Sequence, residues 1–256
     1  MRALEMTSAD GQGRTLFEML TGRNKRDMTP QEQRVHNPLK CRVGTSVMVT
    51  HDTDLADLVF FIESIWVWET IVGNRRFYHT DYNLKARVID GSQPVRLKLR
   101  LIPDEDIGNE LGHRVQVLQA FTEFGWDFAE KNGFLAVLAD PDGVFRILQD
   151  ADGVAYDEAD QPTYWRIDDV RSPYGCRVTI LKDRDGDGTV QADELEQTEY
   201  LVWDYHRSTT NPVTGKEFIE LLNVEEEVQM VDDEPECLWF TILIGRDVEP
   251  MQITLA

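Results

Sequence analysis

Long apolar runs, cysteine and positive charge are all scarce in this sequence. No apolar run reaches the roughly eighteen residues a membrane-spanning helix needs, and Met1 to Leu20 lacks the apolar core of a secretory leader. The three cysteines, Cys41, Cys176 and Cys237, are far apart and form no CxxC pair. That excludes a disulfide framework and fits a reducing cytoplasm. Lys and Arg number 26 against 47 Asp and Glu, a formal charge of -21. Such a surface repels phosphate backbones and anionic lipid, so neither nucleic acid nor membrane insertion is expected. The five histidines, His36, His51, His79, His113 and His206, show no HxxxH or HExxH spacing. GxSxG, P-loop and dinucleotide fingerprints are also missing, and no catalytic residue is assigned.

What is present is strand texture. Arg42 to Val49 alternates, Val59 to Val72 is rich in aromatic and β-branched residues ahead of a Gly73-Asn74 turn, and Arg75 to Ala86 returns from it. Val95 to Leu101 alternates apolar residues with Arg96, Lys98 and Arg100, which predicts one buried face and one wet face. Pro103 to Gly112 offers charge and glycine and reads as a linker or mobile loop. Arg114 to Phe128 fits neither the strand period nor the helix period. Phe134 to Ala139, a turn at Asp140 to Gly143, Val144 to Leu148 and a turn at Asp150 to Gly153 predict a meander. Leu238 to Ile244 reads as a central strand and Pro250 to Leu255 as an edge strand.

The predicted fold class is therefore mostly β, a β-rich α+β protein of antiparallel meanders and hairpins with short N-terminal helices. Residues 1–38 read as a helical arm, since residues 1–50 carry eight Lys or Arg against five Asp or Glu, and Thr29-Pro30-Gln31-Glu32 is a capping-box pattern. Residues 39–105 form a first β module, 106–165 a linker and β-meander, and 166–256 a second β module. Trp66-Val-Trp-Glu69 and Leu201-Val-Trp-Asp204 resemble each other, which suggests that the two modules are related.

The sharpest chemical signal lies between Asp183 and Leu195. Acidic side chains stand at positions 1, 3, 5 and 12 of a twelve-residue loop (Asp183, Asp185, Asp187, Glu194), with Gly188 at position 6. This is the ligand pattern of an EF-hand calcium loop. Asp183, Asp185 and Asp187 would supply side-chain oxygens, Thr189 its carbonyl, Gln191 a water-mediated contact and Glu194 two oxygens. The flanks are not helical in pattern. Cys176 to Lys182 alternates with β-branched residues, and Leu195, Leu201, Trp203 and Tyr205 share one parity. Residues 176–206 thus predict a long β-hairpin closed by a calcium-type loop, the alternative being a bare Asp-Gly turn.

Asn37-Pro-Leu39 followed by Arg42-Val-Gly44, Tyr164 to Asp169, Trp203-Asp-Tyr205 and Trp239 to Arg246 resemble bacterial YjfK-like β-rich proteins encoded near PspA-type membrane-stress proteins. The resemblance implies a cytoplasmic accessory protein with a protein partner and carries no catalytic signature. Asp204, Tyr205 and His206 beside Glu199 are the nearest approach to a catalytic constellation, with Asp204 and His206 on one strand face. The functional expectation is a Ca²⁺-binding accessory or interaction protein. The alternative is a carboxylate-dependent hydrolase of a neutral substrate such as a polysaccharide.

Overall fold

The computed structural model describes residues 37–49, 58–72, 75–86, 95–104, 112–150, 153–167, 173–181, 195–211, 214–231 and 234–255. The protein is mostly β, as its alternating texture predicts. In chain order the strands are β1 (Ser46–Val49), β2 (Val59–Val72), β3 (Arg75–Ala86), β4 (Arg96–Pro103) and β5 (His113–Gly125). Two short helices follow, α1 (Trp126–Lys131) and α2 (Phe134–Leu138). Then come β6 (Val144–Arg146), β7 (Thr163–Arg166), β8 (Tyr174–Leu181), β9 (Leu195–Thr210), β10 (Glu217–Val231), β11 (Glu234–Val248) and β12 (Ile253–Leu255).

Hydrogen bonding runs β2-β3-β4-β5-β11-β10-β9, and β8 pairs with both β9 and β2. The ring is thereby closed: eight antiparallel strands form a barrel, with β8 as the strand that joins its two ends. Past the ends of β8 the barrel splays into two wings. β1 and β12 continue from the first half of β2, and β7 and β6 continue from the second half of β9. β12 sits at the outer margin of its wing, where the preceding Pro250 costs no ladder bond.

Which face points inward follows from side chains that meet across the ring. Lys98 of β4 bonds Glu225 of β10, three strands away. Trp68 of β2 lies 5.0 Å from Tyr200 of β9, on the far side of β8. Directly paired residues share a face. Trp66, Trp68, His79, Asp81, Lys98, Arg100, Gln116, Leu118, Asn223, Glu225, Asp204 and Tyr200 therefore line the interior. The opposite face of β1 to β5 carries Phe60, Ile62, Tyr82, Leu84, Leu97, Leu99 and Leu101 in one apolar cluster. The outer face of β9 to β11 carries Trp203, Tyr205, Leu222, Val224 and Phe240, covered by Phe145 and Tyr164 of β6 and β7 and by Leu138 of α2.

Several expectations are corrected here. Phe134 to Leu138 is a helix, not a strand of a meander. Gly133 precedes it with φ of 72° in the left-handed region, and a five-residue apolar run has no period that separates strand from helix. Arg114 to Phe128 resisted both periods because it is two elements. β5 also shifts register against β11 between Ile242 and Leu243, which displaces its alternation by one residue. The ends of the expected linker or mobile loop, Pro103 to Gly112, are held by Pro103 opposite His113 and by the Asp104 amide donating to the Gly112 carbonyl at 3.0 Å, while residues 105–111 lie outside the described residues. The face of β4 expected to be wet is also buried, because it lines a closed barrel. Trp68 points inward and its sequence match Trp203 points outward. The two tryptophan motifs thus present opposite faces of their strands. The helical arm predicted over residues 1–38 lies outside the described residues except for Asn37 and Pro38.

Candidate functional site

The expected calcium ligands, Asp183, Asp185, Asp187, Thr189, Gln191 and Glu194, lie outside the described residues. What is described is the pair of strands on either side of them. β8 and β9 pair in unbroken register from Tyr174 opposite Val202 to Leu181 opposite Leu195. The connection between Leu181 and Leu195 is thus the tip of a hairpin, as the alternation of its flanks predicts. Among the described residues, no group of three or more His, Cys, Asp or Glu side chains could hold a metal ion.

Inside the barrel lies a charged cluster that sequence reading did not anticipate. Arg100 bonds both Asp81 oxygens in a fork, Nε at 2.8 Å and Nη2 at 2.9 Å, and its Nη2 also reaches Glu225 Oε1 at 2.7 Å. Lys98 Nζ donates to both Glu225 oxygens at 2.7 and 2.6 Å and lies 3.5 Å from Asp81. Two cations and two carboxylates are so balanced that no oxygen of either acid lacks a cationic partner. Indole rings flank the cations: Lys98 Nζ is 5.2 Å from the ring centres of both Trp66 and Trp68, and the Arg100 guanidinium is 5.5 Å from Trp68. Burial alone would raise the pKa of Asp81, but Arg100 and Lys98 outweigh it and hold the carboxyl below its ordinary range.

Asp204 is an interior carboxyl of a different kind. It accepts from the Tyr174 hydroxyl and, at 2.5 Å, from the Asn223 amide. Burial raises its pKa, and the Tyr174 bond and Arg100 offset this only in part. Neither His206 nor Tyr205 joins it. Tyr205 faces outward, where its hydroxyl accepts from Arg166 at 3.2 Å. Glu199 stands opposite Arg177 and Val228, away from Asp204. His79 stacks on Trp68 at 5.2 Å, and burial, with Arg100 beside it, lowers its pKa to about 3. The β8 side of the lumen is largely apolar. Cys176, Val178 and Ile180 of β8 pack on Trp68, Tyr200 and Val202, and burial pushes the Cys176 thiol up to about 12.

The interior charges were hidden by their spread over β3, β4, β9 and β10. The one available signal was that Lys98 and Arg100 alternate with leucines on a strand whose neighbours also carry acids among aromatics. Comparison with family models, with curated proteins and with solved structures finds no match for this chain.

Proposed function

We propose that the protein binds one calcium ion in the loop 183–194 and serves as an accessory or interaction protein in a reducing cytoplasm. The supporting observation is the continuous pairing of β8 with β9 up to Leu181 and Leu195, which brings the two ends of the acidic loop together. Five carboxylates in twelve residues, Asp193 beside the four expected ligands, then repel one another unless a cation neutralises them. Strand flanks also separate this loop from a sensor, whose response is the opening of a helix pair. The expected role of the ion is to fix a hairpin tip.

A hydrolase acting through paired carboxylates would need one of them free to exchange protons with substrate. Asp81 and Glu225 do face each other beside Trp66 and Trp68, yet Lys98 and Arg100 engage all four of their oxygens. That favours the calcium reading. Isothermal titration with CaCl₂, paired with thermal melts in Ca²⁺ and in EDTA, tests it. A saturable heat and a higher melting temperature without a gain in dye-accessible apolar surface are expected. No heat and no thermal shift at millimolar Ca²⁺ would overturn it.

A further inference from the structure

Among the described residues, three of the most exposed large apolar side chains stand at one end of the barrel, on positions that face its axis. Phe77 is 52% exposed, Trp165 50% and Ile219 49%. They come from β3, β7 and β10, far apart in sequence, and strand alternation places each on the lumen side. Phe77 is two residues from His79, and Ile219 is four from Asn223. Trp165 pairs with His206, two from Asp204. The register puts them at the same end. Asp81, Arg100, Gln116 and Asp247 stand opposite one another in turn, and Gly245, Leu221, His206 and Trp165 form the neighbouring row. Ile102 and Leu221, both partly buried, fill the rim between them.

Beneath this apolar rim four described lumen-facing polar atoms lack hydrogen bonds, the indole nitrogens of Trp66 and Trp68 among them. His79 Nε2 and Asn223 Oδ1 are buried without a hydrogen bond. Asn223 is 3% exposed, and its amide nitrogen is already committed to Asp204. A buried carbonyl oxygen of this kind costs stability until a donor reaches it. Apolar side chains at a barrel end above buried, unpaired polar atoms match the composition of a small-molecule site, and barrel mouths are where such sites recur. Eight strands enclose little more than their own side chains, so the guest must be small. A chain of formal charge -21, with Asp247 exposed on this rim, does not favour an anion.

We propose that this mouth binds a small neutral molecule with an apolar aromatic or alkyl body and a hydrogen-bond donor head group. The body packs on Phe77, Trp165 and Ile219, and the head group donates toward Asn223 Oδ1. N-phenyl-1-naphthylamine has this form, a neutral aromatic with one N–H, and it brightens in apolar surroundings. Titrated into the full chain, it should saturate at one molecule per chain. Phe77→Ser and Trp165→Ser should each weaken it by about tenfold, the scale of one lost apolar contact of about 1.4 kcal/mol. Both side chains are already half exposed, so the variants should melt as the parent does. The N-methyl analogue, which lacks the N–H, should bind more weakly to the parent and equally with the amine to Asn223→Leu. The proposal is overturned if neither probe saturates, or if the serine variants bind like the parent. It is also overturned if light scattering finds a dimer that Trp165→Ser dissociates, since the rim would then be covered by a second copy.

Discussion

Lys98 Nζ lies 2.6 Å from Glu225 Oε2, spanning the barrel from β4 to β10, so an ion pair links strands that share no backbone hydrogen bond. Taking two charges out of water is expensive, and the pair is sustained by Arg100 and Asp81, which complete its bonding. Removing one partner should cost more than removing both. Glu225→Leu leaves two cations facing Asp81 alone and is expected to destabilise the fold by about 3–5 kcal/mol. Adding Lys98→Met should recover part of that loss. Urea unfolding of the parent, the single variant and the double variant measures the difference, and a double variant less stable than Glu225→Leu would refute it.

Gly245 sets how closely β11 approaches β5. A Cβ built there would lie 2.0 Å from the Val117 carbonyl oxygen and 2.7 Å from Leu118 Cα, both backbone atoms that no rotamer change can move. Gly245→Ala must therefore pry apart a ladder that runs through ten paired positions. A loss of about 3 kcal/mol is expected, toward the upper end of overpacking effects. For a chain of this size that is a fall of roughly 6–12 °C in melting temperature. Gly44, with φ of 87° and nothing within 4 Å of an added Cβ, is the control for glycine replacement without a clash. Its alanine variant should lose less, through backbone strain alone.

His79 sets a pH response whose direction follows from its burial. Its ordinary value of 6.5 falls to about 3 in the folded chain, so between these limits the unfolded state binds a proton that the folded state does not. Stability contributed by neutral His79 is present above pH 6.5 and is lost as pH falls toward 3, at about 1.4 kcal/mol per pH unit. Asp81, held below its ordinary value of 3.8, adds a loss in the same direction only below that pH. Asp204, raised above 3.8, acts in the opposite sense just above it. His79→Phe keeps a ring against Trp68 while removing the proton site. Urea midpoints at pH 7.5, 6 and 5 should fall steadily in the parent and more shallowly in the variant. Parallel curves would rule the histidine out as their cause.

The strands were legible and their closure was not. Val59–Val72 and Arg75–Ala86 can be bounded from aromatic and β-branched runs interrupted by Gly73-Asn74, because both signals are local. The hairpin of β8 and β9 is likewise visible in the parity of its flanks. Barrel closure depends on β8 pairing with β2, more than a hundred residues earlier, and nothing local to either strand encodes that. The reading of Lys98 and Arg100 failed for the same reason. Charged alternation means a wet face only if the sheet stays open, and here the ring closes over that face. Phe134–Leu138 shows a separate limit, since its apolar run fits a buried strand or one turn and a half of helix equally well.

The calcium loop yields the last test, because its ligand positions are not equivalent. In the proposed coordination Glu194 closes the shell with two oxygens, so Glu194→Gln should remove most of the affinity, whereas Gln191→Ala, at a water-mediated position, should leave most of it. The gain in stability from Ca²⁺ follows mass action, about 2.7 kcal/mol at a hundredfold excess over Kd, and should vanish in Glu194→Gln. Without calcium the order reverses. Glu194→Gln lowers the repulsion among five clustered carboxylates and should melt at or above the parent temperature in EDTA. Thermal melts of both variants in EDTA and in about 5 mM CaCl₂, a concentration that exceeds weak extracellular-type affinities, decide the matter. A parent whose melting temperature does not respond to calcium, or a Glu194→Gln protein that responds as the parent does, would show that these acids hold no ion.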